Sequence, residues 1–297
     1  MASLTLHSVY GCTYYIPAPT NIGLYAKDGV ATLIDSGNDK EAGRQIARLI
    51  NDQGWKLRLI VNTHSNADHI GGNAFLQGKT GCRIAATALE SAFIQDPILE
   101  PAFLLGGYPF GDLRNKFLMA KPSRVTDIIP SSGKILDTDL ESFPIPGHFF
   151  DMIGIRTPDD VLFIADCLFP ERVISKYHSF FLLDIRAHLK TLERLREMKA
   201  RCFVPGHGEP DTDISMLIEV NRKKIKEISA LLETITKRPK ATEDILSLFC
   251  EHYEITLDAN QYVLVSSTLK SYLAYLKDEG RVETLFDRGK LLWHTID

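Results

Sequence analysis

The sequence predicts an α/β fold, with sheets and helices in layers, followed by a small C-terminal helical module of winged-helix-like pattern. Three observations carry this. Short strand patterns alternate with helical spacing from Leu4 to Val204. Residues with ligating side chains stand at the ends of several of those strands. Beyond Gly206-His207-Gly208 the strand texture stops and long amphipathic helices take over.

In chain order, Ser3 to Val9, Ile22 to Tyr25 and Ala31 to Ile34 read as antiparallel strands, the last two joined by the turn Lys27-Asp28-Gly29. Asp39 to Asn51 carries Ala42, Ile46, Leu49 and Ile50 at helical spacing, and Leu57 to Asn62 is a buried strand. Further short strands are expected at Arg83 to Ala86, Ile135 to Leu136, Ser142 to Ile145, Ile153 to Thr157, Val161 to Ala165 and Cys202 to Val204. Between them, Ala88 to Lys121 is helical and irregular. Ile214 to Lys237 forms one long helix with Ile225, Ile228, Leu232 and Ile235 on a stripe. After the break at Lys237 to Lys240 come a helix from Thr242 to His252, a short segment near Asp258 to Val263, and a helix from Ser267 to Glu279 stopped by Gly280. A hairpin closes the pattern: Val282 to Phe286, the turn Asp287-Arg288-Gly289-Lys290, then Leu291 to Ile296. The expected domains are therefore 1–212, a connecting helix 213–238, and the winged-helix-like module 239–297.

The chain's 297 residues, 44% hydrophobic and 24% charged, exclude disordered and low-complexity classes. A formal net charge of -4 provides no global basic field, and the helix bearing Leu269, Tyr272, Leu273 and Leu276 has only Lys270 and Lys277 against Asp278 and Glu279. Nucleic acid is therefore not an expected partner. No run approaches the roughly 18 apolar residues of a membrane span, and Met1 to Tyr10 lacks the pattern of a signal peptide. Cys12, Cys82, Cys167, Cys202 and Cys250 are scattered without a C-x-x-C pair, which points to reduced thiols in a cytoplasmic protein.

The chemistry concentrates in Thr63-His64-Ser65-Asn66-Ala67-Asp68-His69-Ile70-Gly71-Gly72, directly after the apolar run Leu59-Ile60-Val61. Imidazole and carboxylate suit zinc, and a loop at a strand end can aim them at one point as a regular element cannot. Gly71 and Gly72 allow close backbone approach. Pro146-Gly147-His148, Phe163-Ile164-Ala165-Asp166 and Pro205-Gly206-His207-Gly208 each place one more donor after an apolar run.

This ordered set resembles the metallo-beta-lactamase superfamily, whose pattern is H-x-H-x-D-H, then a later His, a later Asp and a last His. The resemblance spans roughly Leu4 to Pro210. It implies a four-layer αββα sandwich with a binuclear metal site at one edge. Carried over by position, it implies that His64 and His148 hold a first metal, that Asp68, His69 and His207 hold a second, and that Asp166 bridges them. It also implies that Asp35 supports a ligand from behind; a turn Asp bonded to its own backbone is the plainer alternative.

Two departures stand out. Asn66 occupies the place of a family His, and a carboxamide oxygen is a poor zinc ligand, so the first site is expected to be the weaker. Phe149 and Phe150 follow His148 where many members have small residues, and are expected to line or narrow the pocket. Tyr177 and His178 fall where related hydrolases place substrate contacts, although an ordinary polar loop would look the same. The aromatic stretch Phe93 to Lys121 could be a lid, a homodimer contact or plain core. His7, His188, His252 and His294 are expected to be surface or satisfied structural residues.

The resemblance thus implies a hydrolase of an ester, thioester, lactone or phosphoester, acting on a small molecule through a metal-activated water, with Asp68 both ligand and proton carrier. The metal would be zinc, with iron or manganese as substitutes. The alternative is a non-catalytic regulatory protein that uses the metal for stability and the tail for docking.

Overall fold

The computed structural model describes residues 3–296; Met1, Ala2 and Asp297, the outer ends of the expected domain spans, lie outside the described residues. One sheet runs in sequence order through β1 (His7–Tyr10), β2 (Thr13–Ile16), β3 (Ile22–Lys27), β4 (Val30–Ile34), β5 (Lys56–Val61), β6 (Arg83–Ala86) and β7 (Asp127–Ile128). The first four pair antiparallel and the rest parallel. A parallel β4–β5 pair needs a crossover, and α1 (Lys40–Asp52) supplies it. Asp39 caps that helix by accepting from the backbone N–H of Glu41 and Ala42, and its buried face is Ala42, Ile46, Ala47 and Ile50.

The ligand loop follows β5 and runs into α2 (Ala67–Ile70) and α3 (Asn73–Thr80); after β6 come α4 (Ala88–Gln95) and α5 (Leu99–Leu105). A second sheet has the order β12-β11-β10-β9-β8, built from β8 (Gly133–Lys134), β9 (Glu141–Pro144), β10 (Ile153–Arg156), β11 (Val161–Phe163) and β12 (Cys202–Val204). Between β11 and β12 lie α6 (Glu171–Tyr177) and α7 (Ile185–Glu197).

Strand alternation explains the layers. Leu24, Leu33 and Ile60 face the α1 side, whereas their neighbours Tyr25, Ile34, Leu59 and Val61 face the other sheet. From the opposite sheet Ile153, Ile155, Val161, Phe163, Cys202 and Val204 meet them, while Leu162 and Phe203 turn outward to α7 and the later helices. The result is helix, sheet, sheet, helix. Each apolar side chain so buried is worth about 1.5–3 kcal/mol against leaving it in water.

The last part of the chain comprises α8 (Ser215–Ile235), α9 (Thr242–Tyr253), α10 (Ala259–Asp278), and β13 (Lys240–Ala241), β14 (Val282–Asp287) and β15 (Lys290–Thr295) in a sheet ordered β13-β15-β14. One apolar cluster runs unbroken from Phe143 through Ile225 and Tyr272 to Trp293, so these helices share the core of the second sheet.

Several expectations need correction. The short segment at Asp258 to Val263 is the first turn of α10, which starts at Ala259 because Asp258 and Gln261 form a capping box. The expected strand at Ile135 to Leu136 moves to Gly133–Lys134, since Leu136 has φ 49°, outside the strand region. β1 starts at His7 rather than Ser3. The expected elements did not include β2 and α7, although Ile185, His188, Thr191, Leu192 and Leu195 form a helical stripe behind an Asp184 cap.

Candidate metal centre

The donors meet where β4, β5, β9, β11 and β12 end. Gly71 and Gly72 are needed where the ligand loop turns: a Cβ on Gly71 would sit 2.3 Å from the Asn38 carbonyl carbon, and one on Gly72 2.3 Å from the Ser36 carbonyl oxygen. Gly206 matters equally, because a Cβ there would lie 2.1 Å from Asp166 Oδ1. Two clusters result, His64, His148 and Asp166, and Asp68, His69 and His207, each with its ligand atoms within 4.8 Å of one another. We call them inner and outer. Asp166 faces both, its Oδ2 lying 3.8 Å from His148 Nε2 and 3.2 Å from His207 Nε2, while Oδ1 lies 3.1 Å from His69 Nε2.

All four imidazoles are turned the same way. His69 Nδ1 lies 2.8 Å from Asp35 Oδ2. His148 Nδ1 lies 2.8 Å from the Phe181 carbonyl, and His207 Nδ1 2.8 Å from the Pro19 carbonyl. Thr63 Oγ1 donates to Asp35 Oδ2 at 2.7 Å and so accepts from His64 Nδ1 at 3.0 Å. These oxygens can only accept from the rings, so each neutral ring keeps its proton on Nδ1 and presents the Nε2 lone pair to the centre. Asp35, held at φ 62° beyond β4, thus contacts His69 directly and His64 through Thr63.

A divalent cation fits these residues. His64 Nε2, His69 Nε2 and Asp166 Oδ1 are buried without a hydrogen-bond partner, which is costly unless a cation takes their lone pairs. His148 Nε2 lies 3.0 Å from Asn66 Oδ1, and with Asn66 Nδ2 donating to Glu100 Oε1 at 2.8 Å, both facing atoms are acceptors. The carboxylates of Asp35, Asp68, Asp166, Glu90 and Glu100 surround the site, and no Lys or Arg among the described ion pairs neutralises them.

Protonation differs between the clusters. Burial holds His64 well below the usual imidazole range, with the neighbouring His69 adding to it; burial lowers His148 too. Burial also acts to lower His69 and His207, but the surrounding carboxylates together outweigh it, Asp166 and Asp68 for both and Asp35 for His69, raising His69 well up and His207 to about 9. Asp166 is itself pushed up by burial and brought well down by His207 and His69. Burial raises Glu90 to about 7 and Glu100 well above the ordinary carboxylate.

The surroundings contrast as well. Asp68, which accepts from Thr20 Oγ1 at 2.7 Å, has a side chain 41% exposed, so the outer cluster opens to solvent. The inner cluster is walled by aromatics: His148 lies against Phe169 and Phe181, and His64 against Phe149. Phe149, expected to line the pocket, is 1% exposed and packs under Phe93, Phe103 and Phe150, so it stands behind the histidines. His178 turns away to stack on Tyr253 of α9, and the half-exposed Tyr177 carries Lys176 on its ring. His188, expected at the surface or satisfied, is fully buried with neither ring nitrogen bonded, and burial drives it down to about 3. Of the aromatic stretch, Phe93 and Phe103 pack inward, whereas Tyr108, Phe110 and Phe117 are exposed.

Residues 15–207 match the metallo-beta-lactamase superfamily. The chain is 33% identical over 201 residues, 67% of each chain, to hydroxyacylglutathione hydrolase of Rhodopseudomonas palustris strain BisB5. It is 34% identical over 208 residues to the enzyme of that name from Methylococcus capsulatus, covering 69% of this chain and 70% of that one. Other curated relatives are spanned over about half their length, 48% for the strain HaA2 protein. Among solved structures, a metallo-beta-lactamase family protein from Thermus thermophilus aligns over 99% of both chains with a TM-score of 0.73 at 20% identity, a likeness of fold.

Proposed function

The chain belongs to the metallo-beta-lactamase superfamily and is a metallo-hydrolase, and on that premise we propose that it hydrolyses thioesters of a small thiol, with zinc as its metal. The observation that carries the reading is the set of donors converging on one edge of the sandwich in two clusters joined by Asp166. The relatives named hydroxyacylglutathione hydrolase support the substrate class, since a hydroxyacylglutathione is a thioester.

His64, Asn66, His148 and Asp166 would hold one ion, and Asp68, His69, His207 and Asp166 the other. Zinc held there would lower the pKa of a bound water towards roughly 7 and polarise the thioester carbonyl. The chain's own residues do the rest. Asp68 is the solvent-facing carboxylate, anchored on one oxygen by Thr20, so its other oxygen is free to take the proton of the attacking water. His207 stacks on Phe169 at 5.9 Å, which prevents the ring from swinging as charge develops. The aromatic wall keeps bulk water from the inner cluster. Tyr177 remains exposed enough to meet a substrate, and the division into 1–212, 213–238 and a winged-helix-like 239–297 belongs to this reading. The unpaired cysteines support a reducing compartment such as the cytoplasm.

The test is a panel on metal-verified protein: an S-acylglutathione, an aryl ester, a lactone and a phosphodiester. We expect kcat/KM for the thioester to exceed that for the phosphodiester by about a hundredfold or more. A preference for the lactone or phosphodiester would refute the thioester assignment.

A further inference from the structure

Asn66 is a preferred helix N-cap residue at an N-cap position, yet it does not cap. Its backbone is at φ -59°, ψ 142° ahead of α2, and its side chain makes no cap hydrogen bond. An N-cap Asn ordinarily spends its side-chain oxygen on a backbone N–H two or three residues on. Here that oxygen is withheld and aimed at His148 Nε2, 3.0 Å away, while Nδ2 donates to Glu100 Oε1 at 2.8 Å. Once ionised, Glu100 can only accept, so its bond with Nδ2 leaves Oδ1 as the atom that faces His148.

Glu100 is itself unusual. It is 6% exposed, and no basic side chain pairs with it among the described residues. Glu90, on the preceding helix, is fully buried and equally without a cation; its two oxygens accept from Ser65 Oγ at 2.6 Å and from the Asp151 backbone N–H at 2.8 Å. Ser65 precedes Asn66, and Asp151 lies in the turn after His148. Helices α4 and α5 thus set two buried acids with no cation partner behind the inner cluster; burial favours their neutral forms, and positive charge in front would favour their carboxylates.

We propose that Glu100 is a positioning residue that makes Asn66 a true ligand of the inner metal. The N–H donated to a carboxylate shifts electron density to Oδ1 and locks its direction, as a carboxylate behind a ligating imidazole raises that ring's basicity. Asn66 with Glu100 then stands in for the imidazole that the sequence lacks. The inference rests on the binuclear reading above.

Stepwise cobalt(II) titration of chelator-stripped protein, followed by visible absorption and by competition with a chromophoric chelator, tests it. In Glu100→Gln one of two equivalents should weaken roughly 10–100-fold with its absorption band altered, the other staying unchanged. Asn66→Ala should weaken the same equivalent, and the double variant should be no worse than Asn66→Ala alone. Unchanged equivalents in Glu100→Gln, additive losses in the double variant, or equal weakening of both equivalents with a lowered Tm would each overturn the proposal. Asn66→Ala tests the ligand independently if Glu100→Gln does not fold: retention of both affinities there overturns it too. Wild-type protein that takes up no cobalt would instead refute the binuclear reading itself.

Discussion

The outer cluster takes its support from the sandwich. Asp35 at the end of β4 holds His69, and the loop before β3 holds His207 through Pro19 and Asp68 through Thr20. The inner cluster draws much of its support from elsewhere: Glu90 on α4, Glu100 on α5, and the Phe181 carbonyl beyond α6. One half is open and held by Asp35 and the loop before β3; the other is closed and held by Asp35 through Thr63 together with α4, α5 and the segment after α6. The strand ends bring the donors of both clusters together, whereas the buried acids that distinguish the inner cluster come from helices packed beside it.

The comparison breaks most visibly at the residue common to both halves. Asp166→Ala should abolish binding of both equivalents and lower kcat/KM by about three orders of magnitude, on the order of 4 kcal/mol of transition-state stabilisation. Elemental analysis beside steady-state kinetics checks it, and retention of either equivalent at wild-type affinity would separate Asp166 from that cluster. Asp68→Ala should be milder for metal, sparing the inner equivalent, yet cost about a hundredfold in kcat because the exposed proton acceptor is gone. Its Tm should fall by only a few degrees, since a core of this size does not depend on metal.

A smaller effect sharpens the contrast. His207 is raised to about 9 and His69 is raised well up, whereas His64 and His148 are lowered. Near pH 7.5 the outer equivalent should therefore displace about one proton or more per zinc and the inner one almost none, read as buffer-dependent binding enthalpy. The sign for folding follows. In chelator-treated protein the raised His207 pKa contributes stability that is complete below about pH 6.5 and is lost as pH rises through about 9. A metal-free Tm that climbs over that window would contradict the assignment.

The donor clusters were legible because their residues stand beside punctuation: apolar strand, then His64 to Gly72, or a Gly-His pair after β12. The layers were legible for the same reason, through alternation in β4, β5 and β10. Glu90 and Glu100 were not, since a buried Glu on a short helix looks like any solvated one until the chain folds 25 and 34 residues back on Ser65 and Asn66. Phe149 shows the same limit: the sequence shows an aromatic beside a donor, and only packing shows that Phe93 and Phe103 cover it.

If hydrolysis depends on metal held by both clusters, turnover must follow the loading of each. The direct measurement is thioester turnover during zinc titration of chelator-stripped protein, with bound zinc counted at each point. Turnover should be at background with zero zinc, rise partly with the first equivalent and reach a plateau at the second. Turnover by protein verified to hold no metal, or a plateau reached with one equivalent and unaltered by the next, would contradict it.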